Sequence, residues 1–308
     1  MVSFRKKGEK IRSYQLFHDE SKISGYWHGI YLVPKDTKSK LIKYINQIRN
    51  NTNYHSKIGL KKVKKKKSKI YGCAEGLVDL GVASLVQDFK GSNIQVNLGL
   101  RKKGQPVYEY FKDKIGAKFV LFHVKDNHES MKYYSDYASK IETTFRMGYQ
   151  GGCHLLGDND DNIEITDMLF DGYEHHRKSG WDKNRVVDRL ENIRSYLKIN
   201  SKCNIHDNHT NLKKKGSHNK ENCQILYLTD LLVGGFRTIL GKSTRDIQKH
   251  LYYPIKRLVN KYKKGPARMK NSKWNKGFCY SSCWLKDNNW KYDQFEDLVE
   301  KQKLSFEF

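Results

Sequence analysis

The most apolar block of the chain, residues 223–240 (CQILYLTDLLVGGFRTIL), reads as one helix. It is expected to be too short and too interrupted to cross a bilayer. Its place is then in a core, and the other elements have to be arranged around it. Ile225, Leu228, Leu232 and Ile239 recur at helical spacing and form the expected core stripe. Asp230 falls off that stripe, beside Leu226, Val233 and Gly234 one turn away. A carboxylate with such neighbours is partly desolvated, and costly unless it is paired or binds a metal. Gly234 would leave room above it for a metal or a phosphate.

The elements around this helix alternate between strand and helix patterns. Residues 14–18 and 26–33 read as a strand hairpin, the second strand stopped by Pro34. Helical spacing follows over 37–50 and 75–89, strands over 94–100 and 118–124, and a helix over 130–147. Then come a strand over 163–170, an amphipathic helix over 183–199, a short strand over 203–206 and a helix over 246–262. A final short helix is expected over 291–302. This order predicts an α/β fold, one mixed sheet flanked by helices.

Charge narrows the partner. Lys and Arg number 59 against 33 Asp and Glu, a net charge of +26 in 308 residues. A field of that sign draws polyanions, so nucleic acid is the expected partner, with an anionic membrane surface as the rival and no membrane insertion. The positive charge is clustered. The tract 57–69 carries Lys57, Lys61, Lys62, Lys64, Lys65, Lys66, Lys67 and Lys69 with no acid among them. Lys213, Lys214 and Lys215 form a second group, and Lys263, Lys264, Arg268 and Lys270 lie in a third that interleaves Tyr262 and Trp274. Such runs are either solvated loops or phosphate clamps that add affinity without sequence preference.

Three carboxylate positions stand where local packing does not ask for charge. Asp19 and Glu20 end the first strand, Asp171 ends a later one, and Asp230 lies in the apolar helix. Carboxylates converging from rigid elements suit phosphodiester hydrolysis, in which two hard cations ~4 Å apart activate a water and stabilise the leaving oxygen. The expected ions are two Mg²⁺ or Mn²⁺. Glu174, His175, His176 and Asp207 are second-tier candidates for proton transfer. Each carboxylate also has a plain reading: Asp19-Glu20 as a strand cap, Asp171-Gly172 as a turn, Asp230 in an ion pair with Arg237.

These residues carry a resemblance. The segment FHDESKISG, with Asp19, Glu20 and Ser21, resembles the opening of the bacterial "domain of unknown function 3800" proteins. The segment ILYLTDLLVGG resembles their late signature, with Asp230 as the matching aspartate and Tyr227 and Thr229 where glutamine and alanine are usual. Asp171 in MLFDGYEHH matches their middle acidic residue, a place that Asp158, Asp160 or Asp161 also fits. The resemblance implies an RNase H-like core over about 12–245, related to RuvC, and a nuclease activity with Asp19, Asp171 and Asp230 as metal ligands and Glu20 assisting. The expected organisation is a nuclease domain over 1–265, with a basic insertion around 55–70, and a basic and aromatic C-terminal extension over 266–308. Phe278, Tyr280, Trp284 and Trp290 in that extension form either a lid on the core or a docking surface for a protein partner.

Neither Cys203-x-x-His206-x-x-His209 nor Cys279-x₃-Cys283 completes a four-ligand pattern, and no zinc is expected. The acidic loop 158–161 lacks the spacing of a calcium loop. The opening residues are basic with no apolar block behind them, so they are not read as a secretory signal, and reduced thiols in a cytoplasm are expected.

Overall fold

The computed structural model describes residues 10–22, 25–58, 63–88, 94–101, 103–125, 136–156, 161–171, 190, 197–207, 220–240, 246–264 and 273–294. Its centre is a mixed sheet of seven strands. These are β1 (Lys10–Ser21), β2 (Tyr26–Pro34), β5 (Lys118–Val124), β6 (Asp161–Phe170), β7 (Leu197–Asp207), β8 (Phe278–Lys286) and β9 (Asn289–Gln294). They lie in the order β7-β6-β1-β2-β5-β8-β9. β2 runs antiparallel to both β1 and β5, and β6 continues from β1 in parallel, as does β7 from β6. β8 lies parallel to β5, and β9 turns back on β8. A separate ribbon pairs β3 (Ile94–Leu100) with β4 (Pro106–Phe111).

Both faces of the sheet are covered, and at its centre β2 and β5 read as nearly continuous apolar runs for that reason. Successive side chains alternate between faces. Tyr14, Leu16, Ile30, Leu32, Val120 and Phe122 point into one core, under α3 (Tyr137–Leu156). Phe17, Tyr31, Val33, Phe119 and Leu121 point into the other. That larger core is filled by α1 (Lys38–Thr52), α2 (Lys69–Ser84), α4 (Lys220–Leu240), α5 (Asp246–Leu251) and α6 (Tyr253–Tyr262).

Several boundaries differ from expectation for local reasons. Helix α2 begins at Lys69 rather than 75, because Ser68 caps it by accepting the Tyr71 N–H at 3.2 Å. Helix α3 runs on through Gly148, Gly151 and Gly152. A Cβ at Gly152 would come within 2.2 Å of Val120, so this glycine lets the helix lie close on β5 rather than breaking it. The helix expected over 246–262 is divided at Tyr252 into α5 and α6, with Pro254 in the first turn of α6. Residues 197–199, expected to end a helix, begin strand β7, and residues 291–294, expected to open one, belong to β9. Asp287 and Asn288, both left-handed, make the tight turn from β8 to β9. Residues 278–294 thus complete the central sheet, and Phe278 and Tyr280 are buried in its core.

Helix α4 also corrects an expectation. It has 21 residues, and its 18-residue window of mean hydropathy 1.2 passes by length and composition for a bilayer span. Of that window, 78% is buried inside the fold. The helix is apolar because it is wrapped on nearly all sides, and Asp230 and Arg237, two turns apart, lie on its partly open line.

Candidate active site

Asp19 belongs to the same face of β1 as Phe17, the face covered by α4. Directly across from it on β2 is Gly29. A Cβ there would lie 2.0 Å from Val233 Cγ2 and 3.2 Å from Phe119, so α4 approaches the sheet at this point only because the residue is glycine. Asp230 stands one turn before Val233 on α4 and is thereby set over Asp19. Asp171 follows the last residue of β6. Parallel pairing aligns His18 with Phe170, and the Asp171 N–H donates to His18 O at 3.2 Å, which places the residue beside Asp19. Three carboxylates from two strand ends and one helix are so brought into mutual electrostatic contact.

Their charges work against one another. Burial, then the charges of Asp230 and Asp171, push the Asp19 carboxyl well above the ordinary aspartate value of 3.8, against a hydrogen bond from the Glu20 N–H. Asp230 is raised by burial in the first place. Lys57 and Arg237 pull it back, Asp171 adds to the rise, and Asp19 donates it a hydrogen bond. Lys57 Nζ is 4.0 Å from Asp171 Oδ2 and 5.7 Å from the Tyr227 ring centre. Arg237 donates to Ser21 Oγ at 2.7 Å and acts on Asp230 at longer range.

Glu20 is placed differently from Asp19. Alternation turns it to the opposite face, where the Tyr26 hydroxyl donates to it and Lys22 Nζ lies 3.6 Å away. Asp207 ends β7, beside Phe170 in the register. Glu174, His175, His176, Lys61, Lys62, Lys213, Lys214, Lys215, Arg268 and Lys270 lie outside the described residues. Lys64, Lys65, Lys66 and Lys67, with Lys69 opening α2, are exposed at the N-terminal end of that helix, and Lys263 and Lys264 are exposed after α6.

Sequence reasoning passed over two residues here. Gly29 sits in the strand YWHGIYLV, where nothing but the residue type itself signalled a close approach. Tyr252 is fully buried, its hydroxyl has no hydrogen-bond partner among the described residues, and burial followed by the charge of Asp230 raises its pKa. As one tyrosine within the helix expected over 246–262, it carried no signal of its own in the sequence.

The donor set suits hard divalent cations, which take carboxylate oxygens and relieve repulsion among them. Among the described residues, no three His, Cys, Asp or Glu side chains are gathered closely enough to enclose an ion in their present arrangement. The fit therefore rests on donor type and on accumulated negative charge. No protein-family model, curated protein or solved structure matches this chain.

Proposed function

We propose that the chain is a metal-dependent nuclease in which Asp19, Asp171 and Asp230 hold the cations. The observation that carries this reading is the convergence of three mutually repelling carboxylates next to Lys57. Such an arrangement costs stability unless it is put to use. An antiparallel trio β5-β2-β1 continued by parallel β6 and β7 is compatible with an RNase H-like core, in line with the resemblance of the Asp-Glu-Ser and late aspartate motifs. Bound cations would supply an activated water and neutralise charge on the phosphate. Asp19 and Asp171 would hold their ions from rigid strand ends, and Asp230 from a helix seated on the sheet. Lys57 would lie where it can meet a substrate phosphate once Asp171 turns to a cation. The exposed lysines at the start of α2 would hold more of the backbone.

The test is cleavage of labelled single-stranded, duplex and hybrid DNA and RNA with Mg²⁺, Mn²⁺ or EDTA. Asp230→Asn is expected to lower cleavage by about 10²-fold or more while leaving binding within about twofold. Metal-independent cleavage, or a variant that cuts like the parent, would remove the assignment. A second reading, a scaffold that binds nucleic acid without cutting it, is favoured by the net charge of +26 and by Tyr227 and Thr229 beside Asp230. Tight, salt-sensitive binding with no cleavage of any substrate would select it.

A further inference from the structure

A groove of about 610 Å³ opens between the C-terminal turn of α1 and the tip of the β3–β4 ribbon. Asn50, Asn51, Arg101, Lys103 and Gln105 line it, all exposed, and two half-buried aliphatic residues complete the lining. None of the lining residues is acidic. The acids of this region stand elsewhere. Glu109 lies opposite Val96, away from the tip. Asp113, after β4, accepts from the Tyr44 hydroxyl at 3.0 Å and lies 3.3 Å from Lys40 Nζ.

Close packing fixes the place of this groove. Gly99 has a φ of 101°, and a Cβ there would lie 2.1 Å from Thr52 Cγ2. A Cβ at Gly72 would lie 2.6 Å from Leu100 Cγ. These two glycines let the ribbon tip rest on the last residue of α1 and the first turn of α2. More positive charge comes with both contacts. The first turn of α2 opens on Lys69 and follows the exposed Lys64, Lys65, Lys66 and Lys67. From Thr52 the chain enters the loop that carries Lys57. Arg49 holds that loop by donating to Tyr54 O and Ser56 O, each at 3.3 Å, and the Tyr54 hydroxyl donates to Lys57 O at 3.1 Å. Lys57 Nζ in turn lies 4.0 Å from Asp171 Oδ2. The groove and the aspartate centre therefore adjoin the same end of α1.

The C-terminal end of a helix ordinarily repels an anion, because its last carbonyls are unpaired. Here those carbonyls are taken. The Thr52 hydroxyl donates to Ile48 O at 2.8 Å, the Tyr54 N–H to Arg49 O at 3.1 Å and the Asn53 N–H to Asn50 O at 3.1 Å. Left-handed Asn53 closes this cap. The groove is left with two cations, three side-chain amides and, past Leu100, the electropositive end of α2. That set answers a chain of anions. A lipid surface is met by exposed apolar side chains beside the basic ones, whereas every exposed side chain lining this groove is polar.

We propose that this groove seats the phosphate backbone of a nucleic-acid strand that runs past the aspartate centre. Arg101 and Lys103 neutralise its phosphates, and the amides of Asn50, Asn51 and Gln105 donate to phosphate or sugar oxygens. Contacts of this kind hold a strand without reading its sequence. The assignment rests on the nucleic-acid partner of the proposed function and does not depend on cleavage.

Anisotropy of labelled single-stranded and duplex DNA and RNA, titrated with the full chain in EDTA, tests it. The double variant Arg101→Gln/Lys103→Gln is expected to bind the parent's tightest ligand about tenfold more weakly at about 100 mM salt. The slope of log affinity against log salt is expected to become shallower by about 2, one for each cation removed. Both side chains are exposed, so the melting temperature is expected to stay that of the parent. Lys286→Gln/Lys291→Gln removes the same charge from the exposed β8–β9 hairpin. It is expected to change affinity by less than about twofold and to leave the slope as it was. Equal losses in the two double variants would overturn the proposal, because they would show a diffuse field and no seat. So would parent-like binding by the Arg101→Gln/Lys103→Gln variant, or a parent that binds no nucleic acid. Vesicles of phosphatidylcholine and phosphatidylserine form the last arm. A variant that loses the vesicles and keeps nucleic acid would assign the groove to lipid and overturn the proposal. Weakened binding by this variant, beside a parent that cleaves nothing with any metal, would keep the groove and remove the nuclease. Unaltered binding beside metal-dependent cleavage would do the reverse.

Discussion

Asp19 is the residue at which the fold and its proposed use conflict. A buried carboxyl beside two others holds its proton more tightly in the folded chain than in the unfolded one. Folding therefore takes up a proton as pH rises past the ordinary value of 3.8. The Asp19 contribution to stability is fully present below that value and is lost as pH rises through the shifted one. Asp19→Asn should then stabilise the metal-free protein at pH 7, seen as a higher melting temperature than that of the parent. The gap between parent and variant should close as pH falls toward 4. Mg²⁺ should raise the melting temperature of the parent more than that of the variant. Melting curves in EDTA and in Mg²⁺ decide it, and a variant less stable than the parent at neutral pH without metal would contradict the account.

Among the elements, α4 and β2 position the centre, and Gly29 is the point where they meet. Gly29→Ala puts a methyl 2.0 Å from Val233 Cγ2. The helix must lift or Val233 must turn, at a cost of about 1–3 kcal/mol. Because Asp230 rides on that helix, the proposed cleavage should fall by more than the lost stability explains, which melting and cleavage measured on the same sample would show. Much of this level was legible beforehand. Aromatic and β-branched residues marked the hairpin of β1 and β2, and the apolar block marked α4 with Asp230 as its anomaly. The rest depended on tertiary contact. Glu75 and Asp79 sit on a helix whose neighbours in the chain give no sign that Lys273 and Trp274 will line the same cleft. The run 183–199 has helical spacing, yet its last three residues pair with β6, since a sheet edge outranks a local period. Helix α3 runs past its expected end at 147 because Gly148 and Gly152 lie close on β5, a contact that no local pattern reveals.

At the scale of the whole molecule, charge and topology each make a prediction. With a net charge of +26, affinity for nucleic acid should fall steeply with salt, by about 10³-fold or more between 50 and 200 mM if six or more phosphates are engaged. A slope near zero, measured by anisotropy over that range, would remove polyanion binding from the account. Topology concerns β8 and β9, formed by residues expected to belong to an extension. A chain cut after residue 265 loses β8 and β9 and leaves the edge of β5 unpaired, so it should aggregate or melt far below the parent. A monomeric, normally melting fragment in sedimentation and calorimetry would show those strands to be dispensable. The pairing of Phe119 with Phe278 has one more consequence, which concerns time. At about 5–20 residues per second, the partner of β5 leaves the ribosome about 8–30 s after β5 itself. For that interval the nascent chain carries an open, apolar strand edge, and the tempo of translation becomes one of the determinants of how much protein reaches the folded state.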